Sequence, residues 1–82
     1  MDYKAHTKKR YRERFRKELT DIDYYNLCEI CRKDQCFEKK KANHKAVKMI
    51  IKYKDDYMWC VLSNKSKIVK TVFPIKNSKL PN

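Results

Sequence analysis

The residues best suited to chemistry lie near the N-terminus, in the pattern His6-x3-Arg10-x2-Glu13-Arg14. On a helix, offsets of 0, 4, 7 and 8 residues fall on one face, so these side chains can converge without help from the rest of the fold. A histidine can accept or donate a proton near neutral pH, and guanidinium groups match the oxygens of a phosphate. The spacing therefore suits metal-independent RNA cleavage, with His6 moving a proton and Arg10 and Arg14 holding the phosphate.

The same pattern has a structural interpretation that the sequence leaves open. Arg10 and Lys9 can each pair with Glu13 on the solvated face of a basic helix, at i,i+3 and i,i+4. In the catalytic interpretation, a side chain of a later strand would also contact the phosphate. The expected catalytic residues are His6, Arg10, Arg14 and Thr71, and the expected nucleic-acid-binding residues are Lys9, Arg10, Arg12, Arg14, Lys70 and Trp59.

The charge distribution favours a nucleic-acid partner. The net charge is +12, divided into +5 for residues 1–20, −3 for 21–38 and +10 for 39–82. Two basic blocks can form one patch that attracts phosphates by releasing counterions. An anionic membrane is a weaker alternative, because the basic helix has too few large apolar residues to anchor it.

Two helices are predicted in the first part of the chain. The segment Ala5–Lys17 lacks Gly and Pro and is rich in helix formers. Thr20 is a suitable N-cap for a second helix, with Asp23 three residues later, and this helix should end near residues 32–33. The predicted apolar stripe of the second helix consists of Ile22, Tyr25, Leu27, Ile30 and Cys31.

The remainder of the chain predicts strands. Residues 34–44 indicate a loop or a short irregular strand, and alternation then predicts strands over Val47–Tyr53, Tyr57–Leu62 and Ile68–Phe73. The expected fold is α+β, with two N-terminal helices packed on a three- to four-stranded antiparallel sheet.

One strand carries the only tryptophan of the chain. Trp59 should share a sheet face with Tyr57 and Val61, since alternate residues of a strand point the same way. An aromatic ring on a basic sheet can stack a nucleobase, at about 1–3 kcal/mol per base. Core packing is the alternative use of Trp59 and the one the sequence favours.

The cysteines raise the question of a metal. The pattern Cys28-x2-Cys31-x4-Cys36-x7-His44 has the ligand types of a zinc site, but its later spacing fits no common zinc finger. Buried free cysteines are the favoured interpretation, with structural zinc and a disulfide or redox role as alternatives. No cofactor is expected, and Cys60 alternates with apolar residues as a small core residue would.

The N-terminal pattern and the last strand together resemble a known family. Small bacterial and phage domains of this family have a helix that reads His-Ala-x-x-Arg-x-x-Glu-Arg, and their last core strand ends in Thr-Val-aromatic. Here that strand reads Ile68-Val69-Lys70-Thr71-Val72-Phe73-Pro74. The resemblance implies a RelE-like fold over residues 1–76, in the group of metal-independent ribonucleases that includes BrnT-type toxins. The family usually has Gly after the Glu-Arg pair, where this chain has Phe15, so a longer first helix is expected.

These observations lead to two competing functions. The favoured one is a small metal-independent RelE-like endoribonuclease, a toxin or phage effector, whose partners would be RNA and an antitoxin or host protein. The rival is a non-enzymatic basic phage protein that binds nucleic acid or inhibits a host defence factor. A cytoplasmic location in a bacterial host is expected because the chain has no secretory signal or long apolar run. Residues 77–82 are expected to form a flexible tail.

Overall fold

Two helices and four strands make up the fold in the computed structural model, which describes residues 2–75. The strands pair antiparallel in chain order, as β1-β2-β3-β4. This confirms the predicted α+β fold, and the fourth strand comes from the segment for which a loop or a short strand was expected. The predicted tail lies outside the described residues. The elements are α1 (Tyr3–Phe15), α2 (Asp21–Arg32), β1 (Glu38–Asn43), β2 (Ala46–Tyr53), β3 (Asp56–Ser63) and β4 (Val69–Pro74).

Helix α1 is shorter at its C-terminus than the sequence predicts. Asp2 caps its start by accepting a hydrogen bond from the backbone of Ala5 at 3.1 Å. The helix ends because Arg16 adopts a left-handed conformation, with φ of 57°, and donates its backbone N–H to the carbonyl of Arg12. A helix running to Lys17 was therefore a wrong prediction, since a residue other than glycine ends the helix here.

Helix α2 begins at the predicted residue, but the face that it turns toward the sheet differs from the predicted one. Thr20 and Asp23 form a reciprocal capping box, which confirms the predicted start. However, Ile22 is 72 % exposed and Tyr25 is 56 % exposed, so the predicted apolar stripe is wrong at both positions. Asp23 points toward the sheet, where it accepts a hydrogen bond from the Tyr53 hydroxyl at 2.6 Å. The buried residues of α2 are Asp23, Tyr24, Leu27, Cys28 and Cys31.

The free edge of β4 is covered by side chains of the helices. The carbonyl of Val69 accepts hydrogen bonds from the hydroxyls of Thr7, at 3.4 Å, and Tyr24, at 2.6 Å. Arg14 donates to the carbonyl of Val72 at 2.6 Å. These bonds satisfy backbone groups that an edge strand otherwise leaves available for pairing with another chain. The opposite edge, β1, is protected differently, because its three consecutive lysines are exposed: Lys39, Lys40 and Lys41.

The chain contains no glycine, so other residues take the left-handed positions of its turns. The hairpin between β2 and β3 has a two-residue turn in which Lys54 and Asp55 have φ of 49° and 70°. This combination matches a type I′ turn, whose twist suits antiparallel strands. The turn fixes the register of the two strands, with Tyr53 opposite Asp56 and every later pair counted from there.

Candidate nucleic-acid interface

The sheet has two faces of different character. The face toward the helices is apolar and contributes Met49, Ile51, Met58 and Cys60 to the hydrophobic core. Strand alternation directs the residues between them to the opposite face. The buried residues Ile50 and Trp59 lie on that second face and are outside the core cluster. The second face is therefore the surface on which aromatic and basic residues could meet a ligand.

Four aromatic rings form two pairs on this second face. Trp59 and Phe73 lie opposite each other on β3 and β4, with ring centroids 6.4 Å apart and planes 30° from parallel. Phe37, just before β1, lies beside Tyr57 of β3 with centroids 5.6 Å apart. We call these four residues, with Lys48 and Lys52, the aromatic face.

Both lysines of the aromatic face lie over aromatic rings. The Lys48 ammonium is 4.9 Å from the Trp59 ring centroid, and the Lys52 ammonium is 5.5 Å from the Tyr57 ring centroid. Such contacts are attractive because the ring face carries partial negative charge. They also place positive charge near the rings, where it can neutralise the phosphates of a bound nucleic-acid strand.

The four rings differ in accessibility. Phe37 is 57 % exposed, and Tyr57 and Phe73 are half-buried, whereas Trp59 is 8 % exposed. Trp59 lies between Ile50, its partner on β2, and Phe73, its partner on β4. Phe37 is therefore the ring most able to stack a base, and Trp59 is the least accessible of the four.

The predicted helical constellation is present on α1, but its arginines already have partners. Arg10 forms an ion pair with Glu13 at 2.9 Å, which is the pairing expected in the structural interpretation. Arg14 donates to the carbonyl of Val72 and so fixes α1 to the edge of β4. His6 is half-buried on the same helix. Offsets of four residues place His6, Arg10 and Arg14 along one ridge of the helix beside β4.

The other predicted binding residues are spread over several surfaces. Lys9 and Arg12 are exposed on α1 and line a shallow depression with Glu18. Thr71 pairs with Val61 on the side of the sheet that carries the aromatic face, and no side-chain hydrogen bond within residues 2–75 joins Thr71 to the arginines of α1. The expected grouping of Thr71 with those arginines is therefore not seen in these contacts.

The cysteine pattern does not assemble into a metal site among residues 2–75, where no group of three or more His, Cys, Asp and Glu is placed to hold an ion. Cys28 accepts a hydrogen bond from the backbone of Val69 at 3.4 Å, inside the core. The hydrogen bond to Cys31, together with complete burial, raises the pKa of the Cys60 thiol. All four cysteines are free thiols, and Cys60 is a core residue as predicted.

Sequence reasoning missed four of the six residues of the aromatic face. It placed Tyr57 and Trp59 on one side of β3 but did not include Phe37, Phe73 or the two lysines. A usable signal exists for the lysines, because counting outward from the Lys54-Asp55 turn pairs Lys52 with Tyr57. The same count brings Lys48 diagonally beside Trp59.

Comparison of the chain with protein-family models, with curated proteins and with solved structures finds no match. The RelE-like resemblance therefore stays a prediction. Among residues 2–75, no helix has both the length and the apolar character that crossing a membrane requires.

Proposed function

We propose that this protein binds single-stranded nucleic acid, with RNA as the preferred ligand, on the aromatic face of its sheet. The observation that carries the proposal is the interleaving of four aromatic rings with Lys48 and Lys52 on the side away from the helices. Base stacking needs an accessible ring face, and the phosphates beside each base need positive charge. Both requirements are met within one surface.

Charge supports the same ligand class. Residues 39–82, which include all of the sheet except Glu38, carry +10, and the chain as a whole carries +12. Within that segment, Lys48 and Lys52 of the aromatic face lie directly over rings, and the exposed Lys40 of β1 lies opposite Lys48 on the same side of the sheet. A nucleic-acid strand that lies across the sheet would exchange the counterions condensed on its phosphates for these ammonium groups, which favours binding at low salt.

Duplex nucleic acid fits this surface less well. A base can reach a flat ring only when it is unstacked from its neighbours, as it can be in a single strand. From Tyr57 to Ser63, β3 spans about 20 Å at about 3.3 Å per residue, which is long enough for a short single strand. Single-stranded RNA should therefore bind more tightly than the corresponding duplex.

The test is a comparison of two matched aromatic variants. Phe37 is 57 % exposed on the aromatic face, and Tyr25 is 56 % exposed on α2, away from the sheet. Fluorescence anisotropy with a labelled RNA of about ten nucleotides, within the usual site sizes, measures the affinity of each variant. Phe37→Ala should weaken binding about fivefold or more, and Tyr25→Ala should leave it unchanged. Equal affinities for the two variants and the wild type would contradict the proposal.

Cleavage requires a separate experiment. The pairing of Arg10 with Glu13 and of Arg14 with Val72 favours binding over catalysis, because both guanidinium groups already serve contacts within the fold. Purified protein incubated with labelled RNA in EDTA should leave the RNA intact. Cleavage that disappears in His6→Ala would instead support the metal-independent ribonuclease.

A further inference from the structure

A second surface with ligand-binding character lies at one end of the sheet. The turns after β1 and β3 and the first turn of α1 surround a groove with a volume of about 520 Å³, within the range of small-molecule sites. We call it the lysine groove. Its lining residues are Tyr3, His44, Lys45, Ser63, Asn64, Lys65 and Lys70.

The chemistry of the lining points to a doubly charged anion. Three of the seven residues are lysines, and no carboxylate lines the groove in the described part of the chain. Three ammonium groups from three different segments can surround one phosphate, while the hydroxyl groups of Tyr3 and Ser63 can donate further hydrogen bonds. A phosphodiester carries one negative charge, whereas a phosphomonoester carries about −1.5 to −2 at pH 7. A terminal phosphate therefore gains more from this groove than an internal one.

Contacts within the fold hold the lining in place. The backbone N–H of Asn64 donates to the carbonyl of Lys45 at 2.9 Å, which joins the β3–β4 turn to the β1–β2 turn. The Ser63 hydroxyl oxygen accepts from the backbone of Ser66 at 3.2 Å, which leaves its own hydrogen free to donate. Lys70 is the extra residue of a bulge in β4, and its ammonium lies 5.4 Å from the Tyr3 ring centroid.

The groove and the aromatic face are neighbours along the same strand. Tyr57 lies at the start of β3 and Ser63 at its end, so one strand leads from the stacking rings to the lysines. We propose that the lysine groove binds the terminal phosphomonoester of a single strand whose bases lie on the aromatic face. This inference rests on the proposed function for the identity of its ligand.

The experiment compares RNAs of one sequence that differ only at their ends. Three oligonucleotides carry a 5′-phosphate, a 3′-phosphate or hydroxyl groups at both ends, and their affinities are measured at fixed ionic strength. One phosphorylated form should bind about tenfold more tightly than the unphosphorylated form, and which one it is identifies the end that the groove holds. Equal binding of all three would overturn the inference while leaving the proposed function intact.

A double variant and a charge-matched control assign the effect to the groove. Lys45→Ala with Lys65→Ala should reduce the preference for the phosphorylated end to nearly one. Lys33→Ala with Lys41→Ala removes the same charge from exposed lysines outside the groove and should preserve the preference. Loss of the preference in both double variants would show a general charge effect and would overturn the inference.

A second measurement tests the groove without any oligonucleotide. Titration with adenosine 5′- or 3′-monophosphate, followed by NMR, should shift the amide signals of Lys45, Asn64 and Lys65 in a saturable manner, and adenosine should not. If oligonucleotides fail to bind but these shifts saturate, the proposed function is wrong and the phosphomonoester site stands. Absence of saturable shifts overturns the site.

Discussion

The buried carboxylate of Asp23 offers the sharpest test of how the helices are held on the sheet. Its Oδ1 accepts a hydrogen bond from the hydroxyl of Tyr53 at 2.6 Å and forms an ion pair with the ammonium of Lys54 at 2.9 Å. Its Oδ2 accepts from the backbone of Thr20 at 3.0 Å, which completes the capping box of α2. One side chain thus joins the start of α2 to the end of β2 and to the following turn.

The expected cost of Asp23→Asn follows from these contacts. An amide has one acceptor oxygen and no charge, so it cannot serve both sets of donors, and the bonds that remain lose the carboxylate's charge. A hydrogen bond to a charged group contributes about 1.5–3 kcal/mol, and a neutral one about 0.5–1.5 kcal/mol. The substitution should therefore lower the free energy of unfolding by about 2–3 kcal/mol. For a domain of this size, that corresponds to a fall in Tm of about 10–20 °C.

The pH dependence gives a second signature. The hydrogen bond from Tyr53, with those from Lys54 and Thr20, lowers the pKa of Asp23 below its ordinary value of 3.8, although burial opposes this effect. A carboxyl group whose pKa is lowered by folding stabilises the protein fully above its ordinary pKa, and this contribution is lost progressively as pH falls from there through the lowered pKa of the folded state. The stability difference between wild type and Asp23→Asn should therefore shrink below about pH 4.

Urea unfolding followed by circular dichroism, at pH 7 and pH 3, measures both effects. Asp21→Asn is the matched control, because Asp21 also lies in the first turn of α2 but pairs with Lys4 and Lys8 at an exposed position. Exposed ion pairs contribute little, so the control should unfold close to the wild-type midpoint. Equal losses in the two variants would refute the reasoning.

Four further outcomes are expected. Arg16→Gly should raise the free energy of unfolding by about 0.5–1 kcal/mol in urea unfolding, because glycine adopts the left-handed end of α1 without strain; a loss of stability would contradict this. Leu27→Ala should lower the free energy of unfolding by about 2–5 kcal/mol, because Leu27 is fully buried, and a much smaller loss would place Leu27 outside the core. A thiol reagent should modify Cys36 in the native protein and spare the three buried cysteines; fast reaction of all four would contradict their burial. The logarithm of RNA affinity should fall steeply with the logarithm of salt concentration, and a flat response would exclude phosphate contacts.

The elements of this fold could be predicted because local signals and tertiary packing agree. Thr20 and Asp23 form the capping box that their spacing predicts, and strand alternation places Met49 and Ile51 on the core side. Asp55 lies in the turn between β2 and β3, in the gap between the two strands that alternation predicts. At each of these positions the determining interaction is short-range, so the sequence alone contains it.

The errors have long-range causes. The apolar stripe of α2 was misplaced because Asp23, a polar residue, faces the sheet through its hydrogen bond to Tyr53, thirty residues away. Periodicity cannot anticipate that bond. The aromatic face depends on Phe37 meeting Tyr57 across β2, and the residues involved are not close in sequence. The helical ridge of His6 was predicted in the correct element, but the partner of Arg14 depends on where β4 lies.

The most direct test of the central claim uses Trp59, the only tryptophan of the chain, as an intrinsic probe of the aromatic face. Its ring lies between Phe73 and the ammonium of Lys48, so a strand bound there must disturb its surroundings. Single-stranded RNA should change its fluorescence in a saturable manner at low salt, duplex RNA of the same sequence should have a much weaker effect, and Phe37→Ala should shift the curve to higher RNA concentration. RNA binding that is detected by anisotropy but leaves Trp59 fluorescence unchanged would contradict the aromatic face as the binding surface.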